Sequence, residues 1–439
     1  MSRQLAVTVV TPIKPAAAES LKGLLAAAGE NSAHNDLIPF GRCEGVHFAR
    51  FVVLDATVAL DGAAIPPQLI YMADVDAPLE RHLTQLVTIA GSGLDQIYGH
   101  CEGYPDESMP QAAEASAASG GSGRTRSARL AYLRAHMVAA ATVYVNTVGR
   151  TVRQIRQEAQ LRDAIQAFLD RPGHDWAGKD PRVVRAAIQR YVFQEEALRW
   201  ARRPAHGLSL PERLADLAHL VAVPLLLLVL SPLVVLALPV FAVALRLHER
   251  ADIPSHDRTG NARIQELAAH EDHTVQNPFS AVGYVKPGPF RRWVTTVVLW
   301  LTNYGTRHIY NRGSLTGVTT IHFARWIYLN DKRRMIFASS YDGSLESYMD
   351  DFIDKVAWGL NAVFSNGVGY PRTDWLVIGG AQNEQAFKDY LRQHQILAQL
   401  WYAAYDRSTA VNLQTNARIR AGLYGSMDAA EAEAWLRLL

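Results

Sequence analysis

The sequence predicts an α+β protein made of two tandem copies of one β-α-β-β-α-β unit, and two observations support this prediction. The first is an internal repeat, because the tetrapeptide at residues 47–50, His-Phe-Ala-Arg, recurs at residues 322–325. Further matches follow each tetrapeptide in the same order, which chance would rarely produce. They pair Asp76, Leu79, Glu80, Gly93, Leu94, Gly103, Tyr104 and Pro105 with Asp342, Leu345, Glu346, Gly359, Leu360, Gly369, Tyr370 and Pro371. The second observation is an apolar segment between the copies, at residues 220–245.

Each element of the first copy follows from local chemistry. Pro15 suits the first turn of an Ala- and Leu-rich helix, and β-branched residues mark the strand before it. Asp76 stands where an N-cap belongs, with Glu80 in the first turn, which predicts the second helix. The predicted order is strand 5–13, helix 15–28, strand 46–55, strand 68–75, helix 76–90, strand 93–104 and a long helix over 127–169.

The second copy repeats this order after the apolar segment. Its predicted elements are strand 280–285, helix 289–301, strand 321–330, strand 334–339, helix 345–358, strand 360–369 and a long helix over 383–423. The predicted domains are therefore a first repeat with its long helix (1–170), a helical linker holding the apolar insert (171–274), and a second repeat with its long helix (275–439).

A β-α-β-β-α-β unit is the ferredoxin-like split motif. Two such units in one chain resemble the dimeric α+β barrel superfamily, which includes the dye-decolourising peroxidases and the chlorite-dismutase-like haem proteins. The resemblance implies two sheets packed face to face as a pseudo-dimer, with haem and peroxidase chemistry as the associated function. The peroxidases' Gly-x-x-Asp-Gly signature is absent, because the nearest string, residues 339–343 (Ser-Ser-Tyr-Asp-Gly), lacks the leading glycine.

Composition excludes some functions. The formal net charge of +2 provides no basic footprint, so no nucleic-acid partner is expected. Cys43 and Cys101 are the only cysteines, which predicts no disulfide and is compatible with a reducing compartment. No secretory signal is expected at the N-terminus, and nothing in the sequence indicates the oligomeric state.

The apolar segment at 220–245 is long enough for one transmembrane helix. A single crossing would place the two copies on opposite sides of the bilayer, where their sheets could not pair. Pro232 beside Ser231, the only polar residue of the segment, is a natural bend, so a membrane-associated helical hairpin is predicted. Basic residues at both flanks, among them Arg213 and Arg246, predict the cytoplasmic face of the membrane. The alternative is a hairpin buried inside a soluble protein.

The first helix of the second copy is a further membrane candidate. Trp293 and Trp300 are seven residues apart and share one helix face, and Arg291 and Arg292 could lie at lipid headgroups. This pattern is typical of an interfacial helix. The alternative is that the tryptophans pack on the apolar segment or on another helix.

Candidate catalytic residues cluster around the second His-Phe-Ala-Arg tetrapeptide. Residues present in both copies, such as His47 and His322, are first interpreted as structural pairs. Under the haem hypothesis, imidazoles and nearby cations would form the site. The catalytic candidates are His308, Arg312, His322 and Arg325, and the haem-ligand candidates are His322 and His394.

A second cluster has no match in the first copy. His270, Asp272 and His273 are spaced so that imidazoles and a carboxylate could ligate a metal. Gln276 and Asn277 could orient a substrate by hydrogen bonds, or could cap the strand entrance.

These observations lead to one functional hypothesis and two alternatives. The first is a membrane-associated, peroxidase-like oxidoreductase that uses haem and takes a lipophilic small molecule from the lipid bilayer. The second is a non-catalytic lipid-binding or membrane scaffold protein. The third is a metal-dependent hydrolase centred on His270 and His273.

Overall fold

The computed structural model describes residues 3–105, 125–173, 175–205, 207–311 and 313–439. The strands are β1 (Leu5–Pro12), β2 (Val46–Leu54), β3 (Thr57–Val58), β4 (Ala64–Ile65), β5 (Gln68–Val75), β6 (Thr142–Val145), β7 (Gln276–Tyr284), β8 (Ile321–Leu329), β9 (Arg334–Asp342), β10 (Thr373–Asp374), β11 (Ile378–Gly379) and β12 (Leu400–Ala403). The fold is a mixed α/β arrangement with open antiparallel sheets and one long apolar helix.

The helices are α1 (Ala18–Gly29), α2 (Leu79–Ile89), α3 (Gly91–Tyr98), α4 (Arg126–Ala135), α5 (Val152–Leu169), α6 (Pro181–Gln194), α7 (Leu210–Ala251), α8 (Asn261–Ala268), α9 (Pro289–His308), α10 (Leu345–Phe364), α11 (Glu384–His394), α12 (Ala410–Ala421) and α13 (Ala429–Leu436). Short 3₁₀ turns lie at Phe40–Arg42, Glu196–Arg202 and Gly380–Gln382.

We call residues 1–170 the first half of the chain and residues 275–439 the second half. Each four-stranded sheet includes one edge strand from the other half. The first sheet has the order β1-β5-β2-β12, and the second has the order β6-β8-β9-β7. Strand β12 pairs with β2, with Leu400 opposite Phe51, and β6 pairs with β8, with Thr142 opposite Trp326. The halves are therefore joined by backbone hydrogen bonds as well as by side chains.

The predicted fourth strands, 93–104 and 360–369, are wrong. Helix α3 occupies the first half of the first range, and α10 continues to Phe364 in the second. The exchanged strands β6 and β12 take the fourth place instead. Each has only four residues, so its apolar pattern is too short to distinguish a strand from a helix.

The predicted long helices, 127–169 and 383–423, are also wrong. Each range contains a helix, an exchanged strand and a second helix. Thr151 forms a capping box with Gln154 at the start of α5, and Thr409 forms one with Asn412 at the start of α12. A capping box satisfies backbone N–H groups that have no partner within the helix, and so marks a new helix start.

The two sheets pack against each other through apolar side chains. The first sheet contributes Val52, Leu54, Ile70 and Met72, and the second contributes Ile327, Leu329, Ile336 and Ala338, all buried in one cluster. Burying a side chain of this size contributes about 1.5–3 kcal/mol. A separate cluster joins α5 and α6 to the C-terminal helices, with Ile188 and Ile419 fully buried in it.

The predicted hairpin is wrong, because the apolar segment is part of one continuous helix. Helix α7 has 42 residues and retains Pro224, Pro232 and Pro239 in its interior. At 1.5 Å per residue a straight helix of this size would be about 60 Å long. By length and composition it could cross a membrane, and only 6% of its most apolar window is buried. The alternative of a buried hairpin is therefore also wrong.

Both ends of the apolar stretch of α7 contact the same helix, α9. Near its start, the Tyr304 hydroxyl donates to the Leu220 carbonyl at 3.0 Å. Near its end, the Phe241 ring lies 5.8 Å from the Phe290 ring. Because Phe290 lies in the first turn of α9 and Tyr304 is near its end, the two helices run antiparallel. Between these two contacts, residues 224–230 and 232–240 of α7 are exposed on every side of the helix.

Candidate functional sites

Arg50 and Arg325 each cross from one sheet to the other. The Arg50 guanidinium donates to Phe279 O at 2.7 Å and to Ser339 O at 2.9 Å in the second sheet. The Arg325 guanidinium donates to Val7 O at 2.7 Å in the first sheet and pairs there with the Asp74 carboxylate. Burial lowers the pKa of Arg50 to about 9, although the Asp74 charge opposes this shift. The structure thus places Arg325, a predicted catalytic residue, in a structural pair.

His47 and His322 form a second matched pair. His47 Nε2 lies 3.0 Å from Asp76 Oδ1, and His322 Nε2 lies 2.7 Å from Asp342 Oδ1. The second oxygen of each aspartate accepts a backbone N–H from the first residue of the helix that follows an exchanged strand. These contacts are Val152 N to Asp76 at 3.2 Å and Ala410 N to Asp342 at 2.7 Å. Each His-Asp pair therefore attaches a strand end to a helix start.

The predicted haem ligands are not placed as axial ligands. His322 is 1% exposed, its Nε2 is bonded to Asp342, and its ring lies against Phe48 and Tyr405. His394 Nδ1 contacts Tyr390 O at 2.7 Å, and its ring lines a cavity of about 20 Å³. That volume suits a single water and leaves no room for a porphyrin beside the His394 ring. These two residues do not fit a haem.

His394 also has a counterpart in the first half. His136 Nδ1 contacts Tyr132 O at 2.9 Å, and each histidine ring packs against the ring of its tyrosine. The same contact at the end of two matched helices is explained by the shared fold.

His308 lies at the contact between α7 and α9. Its Nε2 is 2.7 Å from His219 Nδ1, and the two rings stack with centroids 5.0 Å apart. Burial and the neighbouring His219 lower the pKa of His308. Asp216, three residues earlier on α7, pairs with Arg307 at 2.7 Å. Arg312, the other predicted member of this cluster, lies outside the described residues.

The predicted metal ligands do not converge on one point. His270 and His273 are exposed, and His273 Nε2 contacts Ala269 O at 3.1 Å. Asn277 Nδ2 donates to Asp272 Oδ1 at 3.0 Å, and Asn277 Oδ1 accepts from Asp272 N at 3.0 Å. Within the part of the chain that the structure describes, no group of three or more His, Cys, Asp or Glu side chains is arranged to hold a metal ion.

Gln276 has a structural role, and Gln4 has the same role in the first half, although the internal repeat did not pair these two residues. Its Nε2 donates to Tyr405 O at 2.9 Å and to Ser408 O at 2.5 Å. Gln4 makes the equivalent contacts, at 2.9 Å to Thr147 O and 2.6 Å to Arg150 O. Both glutamines thus hold the turn that follows an exchanged strand. The Gln276 Nε2 and both polar side-chain atoms of Asn277, predicted to contact a substrate, are bonded to the protein itself.

The apolar stretch of α7 is exposed at the surface of the protein. Sixteen leucine and valine side chains between residues 220 and 247 are exposed, with Val229 at 74% and Leu236 at 77%. Trp293 and Trp300 of α9 are exposed beside this stretch, and the Trp293 ring lies 6.1 Å from the Phe241 ring. We call these α7 side chains together with the two tryptophans the apolar surface.

Charged groups border the apolar surface but do not interrupt it. Between Asp216 and Arg246, helix α7 contains no Lys, Arg, Asp or Glu. At the C-terminal end, the Glu249 carboxylate accepts the backbone N–H groups of Trp375 and Leu376 at 3.0 and 2.7 Å. The Arg246 guanidinium lies 5.1 Å from the Trp375 ring, so a third exposed tryptophan stands at this border.

Comparisons with known proteins identify no relative, because no family model, curated protein or solved structure matches this chain.

Proposed function

We propose that this protein is a membrane-associated lipid-binding or scaffold protein that rests on one face of a bilayer through its apolar surface. The single observation that supports this most strongly is that every Leu and Val between residues 225 and 243 of α7 is exposed. Leaving one such side chain in water costs about 1.5–3 kcal/mol relative to burying it. Soluble monomers rarely carry an exposed apolar patch this large, and such patches usually mark membrane or protein contacts.

An in-plane position of α7 fits its attachments better than a crossing. Both ends of its apolar stretch contact α9, which packs on the second sheet. A helix that crossed the bilayer would have one end about 30 Å from the other along the membrane normal. The α/β body cannot hold both ends unless it enters the membrane with them. Trp293, Trp300 and Trp375 would then lie at the headgroup level, where indole rings are enriched.

We also propose that the two halves are tandem ferredoxin-like repeats that pack as a pseudo-dimer, as in dimeric α+β barrels. The matched pairs Arg50 and Arg325, and His47 and His322, support a duplication. The exchange of β6 and β12 supports it further, because each half completes the sheet of the other. The second half then differs from the first by carrying the membrane contact.

Vesicle flotation tests the membrane proposal. The full chain should float with phosphatidylcholine vesicles in a density gradient. A variant carrying Leu228→Gln, Val229→Gln, Leu236→Gln and Val240→Gln should remain in the aqueous fraction, because these exposed side chains support the membrane contact and not the core. A matched control, Val58→Gln with Leu60→Gln on the β3–β4 hairpin, should float like the parent. Flotation of the α7 variant, or no flotation of the parent, would overturn the proposal.

The oxidoreductase hypothesis has a separate test. The purified protein should show an intense Soret band if it carries haem. The surroundings of His322 and His394 do not favour haem binding, so we expect no Soret band. For this reason we propose the scaffold role. A Soret band that persisted in both His322→Gln and His394→Gln variants would show a haem held by other residues.

A further inference from the structure

A cleft opens on the outer side of the first half, between the first turns of α2 and α5. Its volume is about 490 Å³, within the range of small-molecule sites. Most of its lining is polar or charged, in contrast to the apolar surface on the other half. The lining residues are Glu44, Gly45, Asp76, Arg81, His82, Thr151, Val152, Arg153, Arg156, Gln157 and Gln160.

Two arginines in the cleft converge on one carboxylate. The Glu44 carboxylate lies 3.1 Å from the Arg81 guanidinium and 3.7 Å from the Arg153 guanidinium. The space between these two guanidiniums therefore accommodates an oxyanion. Arg156 stands one helical turn beyond Arg153 and is held in place by bonds to Ala404 O at 2.8 and 3.0 Å.

The second half shows which lining residues the fold itself requires. Asp76 and Thr151 have the counterparts Asp342 and Thr409, which make the same contacts. The three arginines have no such counterparts. At the positions that match Arg81, Arg153 and Arg156, the second half has Ser347, Val411 and Gln414. Because the second half builds the same framework without these arginines, they are an addition particular to the first half.

The start of α5 does not by itself provide the binding group. The N–H of Val152, its first residue, already donates to Asp76. A ligand would therefore bind through the side chains of the cleft. Guanidinium groups match the oxygens of phosphate in paired hydrogen bonds, and a doubly charged phosphate ester competes well against one exposed carboxylate.

We propose that this cleft binds a small molecule carrying a phosphate monoester, with Arg81 and Arg153 as its ligands and the Glu44 side chain displaced. The proposal is independent of the membrane role, because the cleft and the apolar surface lie on different halves. The phosphate could belong to a soluble metabolite or to a lipid headgroup, and both provide the same group to the arginines.

Calorimetric titration of the full chain in detergent, with glycerol phosphate as the probe, tests the proposal. Binding should be saturable in the parent. Replacing Arg81→Ser and Arg153→Val together introduces the residues of the second half and should weaken binding about tenfold or more, since hydrogen bonds to charged groups are lost. Both side chains are more than half exposed, so the fold should be retained. Glu44→Gln should strengthen binding, because it removes the competing charge.

Arg190→Gln provides the matched control, because Arg190 is an exposed arginine on α6 that does not line the cleft. It should bind like the parent. A parallel arm uses vesicles with and without phosphatidic acid. One outcome is that the parent binds no glycerol phosphate and yet prefers vesicles that contain phosphatidic acid. If the double variant then loses that preference, the phosphate belongs to a lipid headgroup. No saturable binding in either arm, or equal binding by the parent and the double variant, would overturn the proposal.

Discussion

Removing Arg325 should destabilise the protein much more than removing Arg50, although the two residues are twins. Arg325→Met leaves the Asp74 carboxylate, which is 4% exposed, without its ion-pair partner. Breaking a buried ion pair by deleting one partner costs about 3–5 kcal/mol. Among the described residues, Arg50 donates hydrogen bonds only to carbonyl and hydroxyl oxygens, at Phe279, Ser280, Ser339 and Ser340. Its loss leaves polar groups unpaired but no charge, which costs about 1–3 kcal/mol.

Urea unfolding of the full chain in detergent, followed by tryptophan fluorescence, measures this difference. Arg325→Met should lower the free energy of unfolding by about 2 kcal/mol more than Arg50→Met does. The double variant Asp74→Asn with Arg325→Met should recover part of the loss, because no unpaired buried carboxylate remains. If Arg50→Met were the more damaging variant, or if Asp74→Asn recovered nothing, the structural role assigned to this ion pair would be refuted.

Three further predictions concern α7 and the matched pairs. The pKa of His308 is lowered, so its contact with His219 should be intact above the ordinary histidine pKa of about 6.5 and weaken as the pH falls below it. Spin labels at positions 213 and 309 should report a longer distance at low pH, and His308→Gln should abolish that pH dependence. In sealed vesicles with protein added from outside, single cysteines at positions 213 and 250 should both react with an impermeant maleimide, whereas protection of one would indicate a crossing. Gln4→Ala and Gln276→Ala should each destabilise the fold by about 1–3 kcal/mol in urea unfolding, because each removes two hydrogen bonds and leaves the carbonyl of Arg150 or of Ser408 without its side-chain donor. If both variants lose stability whether or not lipid is present, the two glutamines have the same structural role. If Gln276→Ala changes only ligand binding, that assignment is wrong.

Elements with a strong local pattern were predicted well from the sequence. The central strands β2, β5, β8 and β9 lie close to their predicted ranges, because their apolar residues have the same period in both copies. Pro289 begins α9 where a proline at a first helical turn is expected, although the helix continues seven residues beyond the predicted end.

The errors occur where partners distant in sequence decide the structure. Strands β6 and β12 form because each completes the sheet of the other half, and their four residues carry no information about that partner. Pro232 predicted a bend, but α7 continues through all three of its interior prolines. A proline removes one backbone hydrogen bond and distorts a helix, yet the surroundings of a helix can compensate for that loss.

The candidate sites show the same division. The repeat of His-Phe-Ala-Arg allowed both a structural and a catalytic interpretation of His322 and Arg325, and the structure places both side chains in contacts between protein elements. The cleft was not predicted, because Glu44, Arg81 and Arg153 are distant in sequence and are ordinary surface residues by composition. Comparing the two halves position by position would have identified the arginines as an addition, but not that they face one cavity.

By itself, the sequence determined that short motifs recur in the two halves of a mixed α/β chain and that an apolar segment of bilayer length lies between them, because composition and period are local properties. Only the tertiary structure decided that the halves exchange strands, that both ends of the apolar stretch contact α9, and that two arginines converge on one oxyanion position. The physical reason is that hydrogen-bond partners and shared surfaces depend on which distant segments of the chain the fold brings together. Residue types and their spacing along the sequence do not specify these contacts between distant segments.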